Sequence, residues 1–361
     1  MATTDARVIS MDEQRAARAA SGARPRCEAT TADGRPCRNY AVSDGFCRIH
    51  ADDAPGPEEA ATRPERPRGS VELFEGLRDV LGDEWLDHVK EVVSFARRRL
   101  TGDYEVDEFG FDADFTTHVM MPLLRPLHRY YWRVSNSGTG NLPAGGGLVV
   151  ANHAGTLPAD AVMTRLDIFE ATGRHARELG ADLVFRSPFI GHLGRKTGAT
   201  LAAGDDADRL LAAGELVAVW PEGFKGVGKQ WRDRYKLQRF GRGGFVATAL
   251  RAQVPIIPTA IVGSEEIYPL VYDVRVLARL LGFPYFPIVA QMFAAPVLGP
   301  LSLLPLPTKW HIEYGEPIDT TDYGPDAADD PMAVFDLTDR VRDTIQQMLY
   351  RNLMGRRSVF F

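Results

Sequence analysis

The sequence predicts an α/β fold, with a mixed, mostly parallel central sheet flanked by helices. Three observations carry this prediction. Apolar runs at 146–151, 216–220 and 255–262 contain no charge, as strands buried on both faces do. Helical patterns lie between and after them, at 160–171 and 331–353. Two of the runs end abruptly in polar turns, Asn152-His153 and Pro221-Glu222-Gly223, and turns on a rigid scaffold are where function concentrates. With 361 residues, 45% hydrophobic and 25% charged, the chain can bury a large core and still carry appendages. No internal repeat is visible.

Residues 1–23 are rich in Ala, Arg and Asp and read as a disordered tail, with no apolar stretch of the kind a signal peptide needs. Residues 24–50 hold all three cysteines, in the spacing Cys27-x9-Cys37-x9-Cys47-x2-His50. Cys47 and His50 form a chelating pair, and two further thiolates complete a tetrahedral Cys3His set suited to structural zinc. A segment this small has no core of its own, so metal would hold it together. Clustered cysteines in a chain without a signal favour a metal in a reducing cytoplasm over disulfides. The bland alternative is three unconnected cysteines in a tail. Residues 51–69, with prolines at 55, 57, 64 and 67, read as a linker.

Residues 70–135 read as an N-terminal helical region. Apolar residues recur at helical spacing from Leu73 to Ala96, Gly82-Asp83 divides the pattern, and Arg97-Arg98-Arg99 suits the negative end of a helix dipole. Residues 119–133 mix large apolar and aromatic side chains with three arginines. Such an amphipathic helix suits either a bilayer interface or packing on the main domain. The α/β domain then spans 136–361. Its expected elements are strand 146–151, helix 160–171, a short strand at Leu183-Val184-Phe185, strand 216–220, a glycine turn into a helix at 239–251, and strands 255–262 and 310–314. The final helix is 331–353. Leu280 to Thr308 is a stretch of 29 residues without charge, but its six prolines rule out a spanning helix. Short strands and loops are expected there, partly core and partly exposed apolar surface.

Two features carry chemistry. His153 at a strand end can take a proton from a hydroxyl, and Asp160 at the head of the next helix can fix its tautomer. Read blandly, both are caps, since Asp is common at helix N-termini. Between Lys225 and Arg242 there are seven basic residues against one acid, in a chain of net charge −6. With Gly241, Gly243 and Gly244 among them, they suit phosphate; the alternative is a solvated face. Trp231, Tyr235 and Phe240 could stack on bases, but the acidic whole argues against a nucleic-acid partner.

Four stretches, taken in order, resemble the four blocks of the PlsC-type glycerolipid acyltransferases over about residues 116–350. They are Asn152-His153 with Asp160; Ser187-Pro188-Phe189-Ile190-Gly191 with Gly194-Arg195 and Gly198; Pro221-Glu222-Gly223; and Val254-Pro255-Ile256-Ile257-Pro258. A Gly-Thr-Leu-Pro insert and a Gly-Arg-Gly-Gly-Phe segment look closest to an actinobacterial-type branch. The resemblance implies transfer of a fatty acyl group from acyl-CoA or acyl-carrier protein to a glycerolipid hydroxyl, that of lysophosphatidic acid or a related lysophospholipid. His153 would be the base and Asp160 its partner. Glu222 and Gly223 would help shape the acceptor site, and Arg195, Lys225 and Arg242 would hold phosphate. No catalytic cofactor is implied, and the enzyme is expected in the cytoplasm, peripheral on the inner face of the cell membrane. Two departures stand out. Six residues separate His153 from Asp160 where the family has four, and Gly198-Ala199-Thr200-Leu201-Ala202 lacks the arginine that ends the second block. A neutral acceptor such as diacylglycerol therefore stays open. From another class, a non-catalytic lipid- or nucleic-acid-binding regulator is the alternative. An α/β hydrolase is disfavoured, because no Gly-x-Ser-x-Gly elbow is present.

Overall fold

The computed structural model describes residues 83–153 and 156–360, together with Ala29, Thr30 and Cys37. The chain divides into two compact units, Met1–Leu86 and Asp87–Phe361. In the first, Cys37 is buried and its amide donates to the Ala29 carbonyl (2.9 Å). Cys27, Cys47 and His50 lie outside the described residues, as do the expected tail, the linker and residues 70–82 of the helical region.

The second unit is built on nine strands: β1 Ser135–Ser137, β2 Gly147–Ala151, β3 Ala176–Gly180, β4 Ala199–Leu201, β5 Leu216–Val219, β6 Ile256–Val262, β7 Leu270–Asp273, β8 Pro287–Val289 and β9 His311–Tyr314. Seven form one sheet in the order β1-β9-β6-β2-β5-β3-β4, while β7 and β8 pair separately as an antiparallel ribbon. From β6 to β4 the strands run parallel; only β9 is antiparallel to its neighbour β6. The sheet is therefore mixed and mostly parallel. β2 lies at its centre, with every residue buried. Leu148 and Val150 enter the core on one face, Val149 and Ala151 the core on the other. A strand covered on both sides has no place for a polar side chain until it ends, which is why the apolar run stops at Asn152.

The helices are α1 Asp83–Thr101, a continuous stretch α2 made of Ala113–Phe115, Thr116–Met120, Met121–Pro126 and Leu127–Tyr131, then α3 Ala159–Thr172, α4 Asp182–Arg186, α5 Pro188–Lys196, α6 Gly204–Ala212, α7 Phe224–Val227, α8 Gly244–Ala252, α9 Arg275–Leu281, α10 Ala295–Leu298 and α11 Pro331–Gly355. Two segments of α2 are π-helical; between them Pro122 and Pro126 offer no amide to the usual ladder. α2 packs and also exposes. Met121 and His128 are buried, and Trp132 just beyond stacks on Trp310 (4.9 Å), while Leu123 and Tyr130 face outward. Tyr131, Trp132 and Arg133 donate to the carbonyls of Pro305, Leu306 and Pro307, pinning the end of the uncharged stretch.

One expected strand is corrected: Leu183-Val184-Phe185 lies in helix α4. Phe185 packs over Gly180 and Gly191 from that turn, and Pro188 holds Ser187 extended, so the turn stops there. The strand of that region is β3, whose charged Arg177 and Glu178 hide it from an apolar search. Arg177 is 1% exposed, paired with Asp107 (2.7 Å) and stacked on Phe111 (4.6 Å). The uncharged stretch forms β8, α10 and short 3-10 turns, leaving Leu280, Phe283, Phe293, Val297 and Leu301 exposed. Among the described residues no helix is long and apolar enough to cross a membrane.

Candidate active site

Asn152 is the first polar residue after β2, and it is fully buried. Its Nδ2 donates to the Ile261 carbonyl (3.0 Å) and its Oδ1 accepts from the Ile261 amide (2.7 Å). The side chain thus continues the β2–β6 ladder by one rung after the backbone has turned away. His153 follows with 13% of its side chain exposed. Its Nδ1 lies 2.8 Å from Oδ2 of Asp160, near the N-terminus of α3. Six intervening residues therefore still bring the two together. An ionised carboxylate only accepts, so Nδ1 carries the proton and the Nε2 lone pair is free. Nε2 makes no hydrogen bond to the described residues.

Burial opposes charge on the imidazole, but the charge and hydrogen bond of Asp160, with Glu178 and Glu222 further off, outweigh it and hold His153 above its ordinary value. The turn between β2 and α3 is tied down around Thr156, a non-glycine residue at φ 66°. Its amide donates to Val227 (3.2 Å), its hydroxyl donates to the Tyr268 carbonyl (3.2 Å), and its carbonyl accepts from Tyr285 Oη. Burial first, then the Asp160 charge, pushes the Tyr285 phenol up to about 12, so it remains a donor.

Glu222 comes from the turn after β5 and is buried. Its Oε1 accepts the His153 amide (2.9 Å) and its Oε2 accepts the Gln238 amide (2.6 Å). It holds the main chain at His153. Gly223 adopts φ 53° with open space about its Cα, a backbone need rather than a packing one. Gly226 differs: a Cβ there would lie 2.5 Å from the His153 carbonyl oxygen and 2.7 Å from Glu222 Cβ.

The expected phosphate ligands are dispersed. Lys225 on α7 is exposed and without a partner among the described residues. Arg195 on α5 is exposed, its guanidinium over the Phe185 ring (4.8 Å). Arg242 stands between Gly241 and Gly243 at an apolar groove lined by Leu148, Leu179, Val219, Pro221 and Phe245. No hydrogen bond or ion pair joins these three. Of the seven cations from Lys225 to Arg242, six are exposed and Lys229 is buried. The roles of Asn152, Lys229, Thr156 and Tyr285 escape sequence reasoning because each works through its neighbours in space.

A family model described as Acyltransferase matches residues 133–262, a span that holds His153, Asp160, Glu222 and Gly223. A second, a domain of unknown function (DUF5763), matches residues 24–59. An uncharacterized protein of Mycobacterium leprae is 54% identical over 299 residues, covering 82% of this chain and 81% of its own. The chain belongs to the acyltransferase family. A likewise uncharacterized protein of Mycobacterium tuberculosis is 56% identical to this acyltransferase-family chain, covering 76% of each. Among solved structures, the 1-acyl-sn-glycerophosphate (LPA) acyltransferase PlsC of Thermotoga maritima aligns with a TM-score of 0.43 and 18% identity. The alignment covers 67% of the present acyltransferase-family chain and 82% of that one.

Proposed function

We propose that the protein moves a fatty acyl group from a thioester, acyl-CoA or acyl-carrier protein, to a glycerolipid hydroxyl, with His153 as general base. The observation that carries this is the dyad at the end of β2: Asp160 holds Nδ1 at 2.8 Å and leaves Nε2 free in a partly covered position. Nε2 takes the acceptor's hydroxyl proton as that oxygen attacks the thioester carbonyl carbon. The C–S bond then breaks, and the imidazolium returns the proton to the departing thiolate. Asp160 stabilises the charged imidazole between the two transfers. The apolar groove beside Arg242 and the outward-facing Leu280, Phe293 and Val297 suit a lipid substrate presented at a membrane surface.

Lysophosphatidic acid or a related lysophospholipid is the first acceptor reading. A neutral acceptor such as diacylglycerol is the second, favoured by one observation: Arg165 and Arg177, the buried arginines beside β3 and β4, are already committed. Arg165 binds the carbonyls of Ala176 and Thr197, and Arg177 binds Asp107 and the Gly198 carbonyl. Mass spectrometry of products from the purified chain, given acyl-CoA and a panel of lysolipids and diacylglycerol, decides the acceptor. His153→Ala abolishes product formation with the fold intact by circular dichroism; full activity in that variant overturns the mechanism.

A further inference from the structure

We propose that Lys229 is a positioning residue for acyl transfer: its ammonium holds Glu222 in the pose that fixes the main chain of His153. The inference rests on reading His153 as the base. Its observations are separate from that reading.

The Lys229 side chain is 3% exposed, with Nζ 3.3 Å from Glu222 Oε2 and 3.0 Å from Glu265 Oε1. Each carboxylate spends its remaining hydrogen-bonding capacity on main chain. Glu222 takes the amides of His153 (2.9 Å) and Gln238 (2.6 Å); Glu265 takes the amide of Tyr235 (2.8 Å). Three segments distant in sequence, the His153 turn, residues 235–238 and the turn after β6, thus converge on one ammonium. A lysine meant to meet an anion or solvent would face outward, as the six other cations of the run do. An ammonium that is buried must be paired, and two carboxylates pair this one. What makes the pairing more than structural is where Glu222 sends its other oxygen. Gly226 packs closely against both the His153 carbonyl and Glu222 Cβ, so a shift of Glu222 bears on the segment that carries His153.

The test uses the full chain in two measurements. The first is thiol release from acyl-CoA with a glycerolipid acceptor, resolved into kcat and KM. The second is hydrogen exchange of the His153 amide in 15N-histidine-labelled protein, the resonance being assigned by its loss in His153→Gln. In Lys229→Met, kcat falls about 10²-fold with KM nearly unchanged, since a misaligned base harms the chemical step and not binding. The His153 amide loses protection. Lys229→Arg restores most of both. Should Lys229→Met not fold, Lys229→Met/Glu265→Gln removes one cation with one anion and is read in the same way.

A folded Lys229→Met, or double variant, with wild-type kcat and a protected His153 amide overturns the inference and leaves the acyltransferase reading standing. A wild-type protein that transfers no acyl group, but whose His153 amide loses protection in Lys229→Met, sinks that reading and keeps the positioning role. Loss of kcat with the amide still protected also overturns the inference, because Lys229 would then act by another route.

Discussion

The base is a contest between burial and three carboxylates. Burial lowers the affinity of His153 for a proton; Asp160, Glu178 and Glu222 raise it and prevail. A base must be unprotonated to act, so activity is lost as pH falls through the His153 value, which lies above the ordinary 6.5. The acid limb of kcat/KM is therefore expected above that pH. Asp160→Asn removes the charge that holds the value up and puts an amide, which can donate as well as accept, where an acceptor-only carboxylate fixed Nδ1–H. Its limb moves to lower pH and its plateau drops by about 10²-fold or more. A limb that stays in place in Asp160→Asn would show that the proton affinity comes from elsewhere. Nearby, burial, opposed by Lys229, pushes the Glu265 carboxyl up to about 7.

At the scale of elements, the uncharged stretch makes one exposed apolar region in sequence. It begins at the end of α9, where Leu280 is 80% exposed, and continues to α10, where Val297 is 87% exposed. Exposed apolar side chains concentrated in one segment suit a surface that meets another apolar phase. Replacing Leu280, Phe293 and Val297 together by Glu is expected to release the protein from phospholipid vesicles in flotation. Transfer to a short-chain, water-soluble acceptor persists; unchanged vesicle binding refutes the docking role. The same scale shows what could be read from sequence. β2, β5 and β6 were legible because double-faced burial demands an uninterrupted apolar run. β3 was not, because its charges are neutralised by partners far along the chain, Asp107 for Arg177 and Arg165 for Glu178 (3.4 Å). The helical turn at 183–185 was misread because three apolar residues fit either period. In the site, His153 and Asp160 were legible as chemistry. The inward turn of Glu222 and the burial of Lys229 were not, since a lysine in a basic run looks like its neighbours until the fold selects one for the interior.

For the whole molecule, the two units invite separate tests. The zinc site proposed for Cys27, Cys37, Cys47 and His50 is checked by metal analysis of the full chain, with about one zinc expected per chain. In the proposed mechanism acyl transfer is carried by His153 and Asp160, so chelation is expected to remove the zinc and leave kcat unchanged; a proportional loss of rate would tie the two units functionally. The second unit holds a further consequence. Loops ordinarily open on their own, long before the sheet beneath them. The turn that begins at Asn152 is joined to Ile261 through a side-chain amide that behaves as one more peptide of the ladder. Its lifetime is then that of the sheet's centre. His153, the proposed base and the next residue along, is then expected to hold its place between global unfolding events while acceptor and donor come and go around it.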